Sequence, residues 1–156
     1  MATVTVGKKV PAFSAAITGS EAKWKLADAA GEKLVLYFYP KDMTGGCTLE
    51  SQGFRDKYPA FRKAKTQVLG ISRDALKSHD KFRNKEALPF DLLSDEDEAV
   101  CKLFDVIKEK SLYGRKYMGI DRSTFLIDAA GVLRQEWRGV RVPGHVEEVL
   151  EAAKSL

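Results

Sequence analysis

Apolar and polar positions along the chain follow two rhythms. Leu34-Val-Leu-Tyr-Phe-Tyr39 is a continuous apolar, β-rich run stopped by Pro40, which predicts a strand buried on both faces of a sheet. Val68-Leu-Gly-Ile-Ser72 and Thr124-Phe-Leu-Ile-Asp128 have the same character. Ala129-Ala-Gly131 then turns the chain into Val132-Leu-Arg-Gln-Glu-Trp137, so the last two strands are expected to form an antiparallel hairpin. Between the strands, helical spacing predicts segments at about 45–65, 75–86, 95–105 and 144–155. The acidic run Asp95-Glu-Asp-Glu98 opens the third of these. There the helix dipole favours negative charge, a simpler account than metal ligation.

Strand and helix alternate with no linker, low-complexity tract or repeat between them. That pattern predicts one α/β domain over residues 1–156, with a mixed, mainly parallel central sheet, at least one antiparallel edge and flanking helices. A chain of 156 residues that is 44% hydrophobic is long enough to bury one core.

Charge and termini narrow the partners. The 26 Lys and Arg exceed the 22 Asp and Glu by only four, and both signs are interspersed. Arg62-Lys-Ala-Lys65 and Arg115-Lys116 read as solvated faces, and no nucleic-acid partner is expected. The start, Met1-Ala-Thr-Val-Thr-Val-Gly-Lys-Lys9, has no apolar run after a basic segment. No stretch approaches the roughly 18 apolar residues of a membrane span. A cytoplasmic location and no membrane partner are therefore expected. Two cysteines, Cys47 and Cys101, are too few for a disulfide scaffold.

Chemistry concentrates in Tyr39-Pro-Lys-Asp-Met-Thr-Gly-Gly-Cys-Thr-Leu-Glu50, which sets a cysteine beyond a buried strand in the first turn of a helix. With Thr44 as N-cap, Cys47 is the third helical residue. The threonine hydroxyl could then reach the Cys47 N–H, and unpaired amides would surround the sulfur. Such a position favours the thiolate, the reactive form of cysteine. On an ideal helix Phe54, Tyr58 and Phe61 lie within roughly 40° of the sulfur's direction, so Cys47 should face inward, and Pro59 should bend the helix. Spacing alone leaves two readings of Cys47 open, a nucleophile or a small buried hydrophobe.

Pro40-x-x-x-Thr44-x-x-Cys47 resembles the signature of the peroxiredoxins, and the residues around it resemble the bacterioferritin-comigratory, PrxQ-type branch. Gly7-x-x-x-Pro11-x-Phe13, Ser78-His-Asp-Lys-Phe82, Leu88-Pro-Phe-Asp-Leu-Leu-Ser-Asp95 and Tyr117-Met-Gly-Ile-Asp-Arg-Ser-Thr-Phe-Leu-Ile-Asp128 are similar to that branch in the same order. The resemblance implies a thioredoxin-like fold and a thiol peroxidase that reduces hydrogen peroxide and organic hydroperoxides through a Cys47 sulfenic acid. No cofactor and no metal are implied. The Thr44 hydroxyl, the Cys47 N–H and the Arg122 guanidinium would donate to the reacting oxygens. Pro40 would shield the sulfur, and Glu50, one turn after Cys47, would support Arg122.

Two departures from the branch change the expected cycle. The resolving cysteine that many members carry five residues after the peroxidatic one is replaced by Gln52, and 82–84, the other region where relatives place one, reads Phe-Arg-Asn. Cys101, beside Val100, Leu103, Phe104 and Ile107, reads as a structural thiol rather than a resolver. A one-cysteine cycle is expected, with the sulfenic acid reduced by an external thiol such as thioredoxin, glutathione or glutaredoxin. Gly45 stands where relatives have proline, which should let the helix start fray. A monomer or weak dimer is expected.

The competing class is a thioredoxin-fold redox sensor or holdase whose cysteine does not turn over. No Cys-x-x-Cys or Gly-x-Ser-x-Gly occurs. Cys47, His79, Cys101 and His145 lack zinc-site spacing, and the two histidines read as polar helix residues.

Overall fold

The computed structural model describes residues 4–156; the first three residues of the N-terminal stretch considered above lie outside it. The apolar run after residue 32 forms β3, Lys33–Phe38, an inner strand of a seven-stranded sheet. Its continuous apolarity follows from burial on both faces. Parallel pairing is confined to the middle: β3 with β4, Thr66–Ser72, and β4 with β5, Leu92–Ser94. On one side β1, Ser14–Ile17, adds antiparallel to β5, and β2, Trp24–Lys25, adds to β1. On the other, β8, Ser123–Ile127, adds antiparallel to β3 and pairs with β9, Leu133–Trp137, as the expected hairpin. The mixed α/β sheet is thus present, its parallel part the central three strands.

Among the described residues four α-helices flank it: α1, Gly45–Lys63; α2, Leu76–Lys85; α3, Ala99–Leu103; and α4, His145–Lys154. The first, second and fourth match the predicted segments to within two residues. Helix α1 runs through Pro59 to Lys63. The segment expected at 95–105 is shorter, for a local reason. Glu98 is left-handed, with φ 64°, so the chain becomes helical only at Ala99, and Asp105, with φ 54°, lies just past its other end. The acidic run still caps this helix, by direct bonding: the Asp95 carboxylate accepts from the Val100 and Cys101 N–H groups at 3.0 and 2.7 Å.

A second, two-stranded sheet was not visible in the periodicity. It consists of β6, Ile107–Leu112, and β7, Arg115–Ile120, joined through Tyr113 and Gly114, both with positive φ. That is the backbone a two-residue hairpin requires. The ribbon is mostly exposed and charged, so it carries no apolar alternation.

Alternation along β3 divides the core in two. Leu34, Leu36 and Phe38 pack with Phe104, Phe125 and Cys101 on one face. Val35, Tyr37 and Tyr39 pack with Cys47, Phe54, Phe61 and Val149 on the other. Helices α1 and α4 meet on this second face at Gly53, where a Cβ would come within 2.9 Å of Val146 Cγ2. Among the described residues no helix is long and apolar enough to cross a membrane.

Candidate active site

The sheet register builds the site. Phe38 pairs with Ser123, so the loop that leaves the end of β3 lies beside the residues that enter β8. Sequence spacing cannot bring residue 122 to residue 47; antiparallel pairing does. Tyr39 still donates its N–H to the Ile71 carbonyl at 3.1 Å, and Pro40 then ends the ladder. Thr44, in an extended conformation, is the N-cap of α1, and Cys47 points inward, 1% exposed, in the cluster of Phe54 and Phe61.

Arg122 lies against the sulfur of Cys47. Its guanidinium spans two partners, donating from Nη2 to Cys47 Sγ at 3.3 Å and from Nη1 to Glu50 Oε1 at 2.6 Å. Gly46 permits the approach, since a Cβ there would lie 3.1 Å from Arg122 Nη2. Burial opposes charge on Arg122, but Glu50 and the sulfur outweigh it and hold the guanidinium's pKa above its usual value.

Glu50 is completely buried, and desolvation pushes its pKa up to about 7 despite the attraction of Arg122. Its second oxygen, Oε2, has no hydrogen-bond partner among the described residues. His145 Nε2 lies 4.0 Å from that oxygen and 2.8 Å from Thr124 Oγ1. Burial and then Arg122 depress the His145 pKa to about 4.

The hydroxyl of Thr44 departs from expectation. It donates to the Lys41 carbonyl at 2.9 Å and makes no cap bond to the helix, because the loop from Lys41 to Thr44 closes on itself. The Cys47 N–H therefore lacks the side-chain acceptor foreseen for it. Pro40 is half-buried at the start of this loop.

Two histidines read as polar helix residues are in fact buried, His79 completely and His145 to 4% exposure. His79 holds the active-site loop. Asp42 Oδ2 accepts from the Ser78 hydroxyl and pairs with His79 Nδ1, each at 2.8 Å, while Asp42 Oδ1 accepts from the Tyr39 hydroxyl at 2.6 Å. His79 Nε2 meets the Leu93 carbonyl at 2.8 Å. Burial alone would raise the Asp42 pKa, but His79, Tyr39 and Ser78 outweigh it and lower it. Helical phase could have revealed both histidines: His79 precedes buried Phe82 by three residues, and His145 precedes buried Val149 by four.

Cys101 lies in the other core, across the sheet from Cys47. Burial and the neighbouring Asp95 carboxylate push its thiol pKa far up. The four residues weighed as zinc ligands therefore do not converge. Asp42, Asp74 and His79 do cluster, but the carboxylate and imidazole atoms are engaged in the loop's own hydrogen bonds. Cavities of about 250 and 410 Å³ lie around Asp128 to Ala130, at the opposite end of the sheet from Cys47, and hold no cysteine.

Known proteins resemble this chain in sequence and fold. Residues 6–136 match the model of the AhpC/TSA family. The putative peroxiredoxin bcp of Coxiella burnetii is 48% identical over 147 residues, 94% of this chain and 97% of that protein. Peroxiredoxin Bcp of Bacillus subtilis is 45% identical over 155 residues, 99% of this chain and 98% of that one. The crystal structure of a Xylella fastidiosa PrxQ mutant superposes with a TM-score of 0.92 at 42% identity, covering 99% of this chain and 98% of that chain. The mixed sheet with flanking helices is accordingly the thioredoxin-like fold, and the chain belongs to the AhpC/TSA family, in the bacterioferritin-comigratory branch of its thiol peroxidases.

Proposed function

We propose that Cys47 is the peroxidatic nucleophile and that the protein reduces hydrogen peroxide and organic hydroperoxides in a one-cysteine cycle. The observation that carries this reading is the Arg122 guanidinium divided between Cys47 Sγ and Glu50. The thiolate's electron pair attacks the terminal peroxide oxygen and forms the S–O bond as the O–O bond breaks. Sulfur is oxidised by two electrons to the sulfenic acid, which keeps the peroxide's own proton, and the departing alkoxide or hydroxide takes a proton from solvent. Negative charge spreads over both oxygens in the transition state, where Arg122 and the Cys47 N–H are the donors. Thr44, its own proton given to Lys41, accepts from the peroxide O–H. Pro40 limits water at the sulfur.

An external thiol then attacks the sulfenic sulfur, releasing water and leaving a mixed disulfide that a second thiol opens. Thioredoxin or glutathione with glutaredoxin fits this role. Support for the absence of an internal partner comes from Gln52, which bonds to Glu86 at 2.7 Å, and from Cys101 behind the sheet. Forming a Cys47–Cys101 bond would need Cα atoms within about 7 Å.

Intact mass spectrometry of wild type, Cys47→Ser and Cys101→Ser after one equivalent of peroxide tests the cycle. Addition of one oxygen is expected in wild type and Cys101→Ser and not in Cys47→Ser. Loss of two hydrogens in wild type, an internal disulfide, would refute the one-cysteine reading.

A further inference from the structure

Glu50 Oε2 is a buried acceptor without a donor, and such an atom is costly unless a proton or a partner reaches it. The polar atom that faces it is His145 Nε2, 4.0 Å away and fixed by α4 and Thr124. The geometry is set from both sides. Gly144, with φ 78°, turns the chain so that His145 is the first residue of α4, and the Gly53–Val146 contact presses α4 onto α1 one turn beyond Glu50. Edge-on contacts with Phe54 and Trp137 hold the imidazole plane.

We propose that His145 is a positioning residue for the peroxidase reaction: one proton occupies the gap between Glu50 Oε2 and His145 Nε2, and this neutral pair holds Glu50 so that Arg122 keeps its charge for Cys47. The inference rests on the reading of Cys47 as the peroxidatic residue. Carried on Oε2, the proton faces Nε2 across the 4.0 Å gap, while the Thr124 hydroxyl keeps its 2.8 Å contact with the imidazole. Glu50 then accepts from Arg122 through Oε1 without cancelling its charge. Loss of the proton leaves a full carboxylate on Arg122, which weakens the guanidinium's hold on an anion at the sulfur and on the departing oxygen. The opposed shifts of the two groups, Glu50 up to about 7 and His145 down to about 4, agree with a single proton resident on Glu50. Other charged or titratable groups facing the pair are Arg122 before β8, Glu147 on α4, Tyr37 on β3 and Cys47 on α1.

Two measurements test this. In the wild-type protein, nuclear magnetic resonance of the Glu50 carboxyl carbon and the His145 ring nitrogens across pH 5 to 9 should show both responding with one shared midpoint. Independent midpoints overturn the proposal, whatever the protein's turnover. In single-turnover oxidation by hydrogen peroxide, the rate constant of wild type should fall on an alkaline limb at that same midpoint. His145→Gln, whose amide donates to the carboxylate but cannot accept the shared proton in the same way, should move the limb down by about half a pH unit or more. Glu50→Gln should abolish it. A His145→Gln protein with an unmoved limb sinks the idea, while total inactivity of wild type would instead refute the peroxidatic assignment of Cys47.

Discussion

At the scale of single residues, the site depends on the shape of one guanidinium. Arg122 reaches Cys47 and Glu50 with two nitrogens held in one plane, and an ammonium offers only a point charge. Arg122→Lys is expected to lower the rate constant for peroxide by roughly 10²–10³, as loss of a preorganised transition-state donor does. Gly46→Ala should act on the same contact from the other side, displacing Nη2 and slowing oxidation by about tenfold without lowering the melting temperature, because alanine favours the helix. Both are checked by single-turnover kinetics beside thermal melts. That Arg122 would lie beside Cys47 was legible because the motif and the order of segments resemble a family. His145 and Asp42 were not: a lone polar side chain reveals its burial only when the opposing helix or loop is known. The Thr44 hydroxyl was misjudged because its alternative acceptor, the Lys41 carbonyl, is local backbone that a cap rule ignores.

Among elements, α1 was readable to within two residues, since Thr44, the inward aromatics and the end of the apolar strand all agree. The β6–β7 ribbon and the short strands β1, β2 and β5 were missed. They draw their stability from pairing and from single buried positions, which leave no period in the sequence. Helix α3 was overextended because its acidic residues were assigned to a first turn, whereas Asp95 caps from outside it. The start of α1 yields a prediction at this scale. Gly45 is the first helical residue, nothing lies within 4 Å of where its Cβ would be, and Thr44 before it is extended, at φ −96° and ψ 157°. Proline suits that position. Gly45→Pro should therefore stabilise the protein by about 0.5–1 kcal/mol in denaturant unfolding, by restricting the unfolded chain.

For the molecule as a whole, the buried Glu50 and His145 set opposite slopes of stability against pH. Glu50 holds its proton more tightly folded, at about 7 against an ordinary 4.5, so its contribution falls as pH rises through that interval. His145, at about 4 against 6.5, is the reverse, and its contribution grows over that range. The melting temperature should be nearly flat where the two overlap, from pH 4.5 to 6.5. Removing Glu50 as Glu50→Gln should expose a rise across the same range, measurable by calorimetry. The central strands and their order of helices were legible because continuous apolar runs mark a sheet covered on both sides; the division into two cores was not, since it emerges only from which strands are neighbours. The burial of Cys47, 1% exposed, bears on the tempo of the cycle. On the cycle proposed above, a protein-borne thiol would meet the oxidised sulfur only when the first turn of α1 breathes open. At saturating reductant, turnover then has a ceiling fixed by that opening, and cells could raise throughput no further by making more reductant.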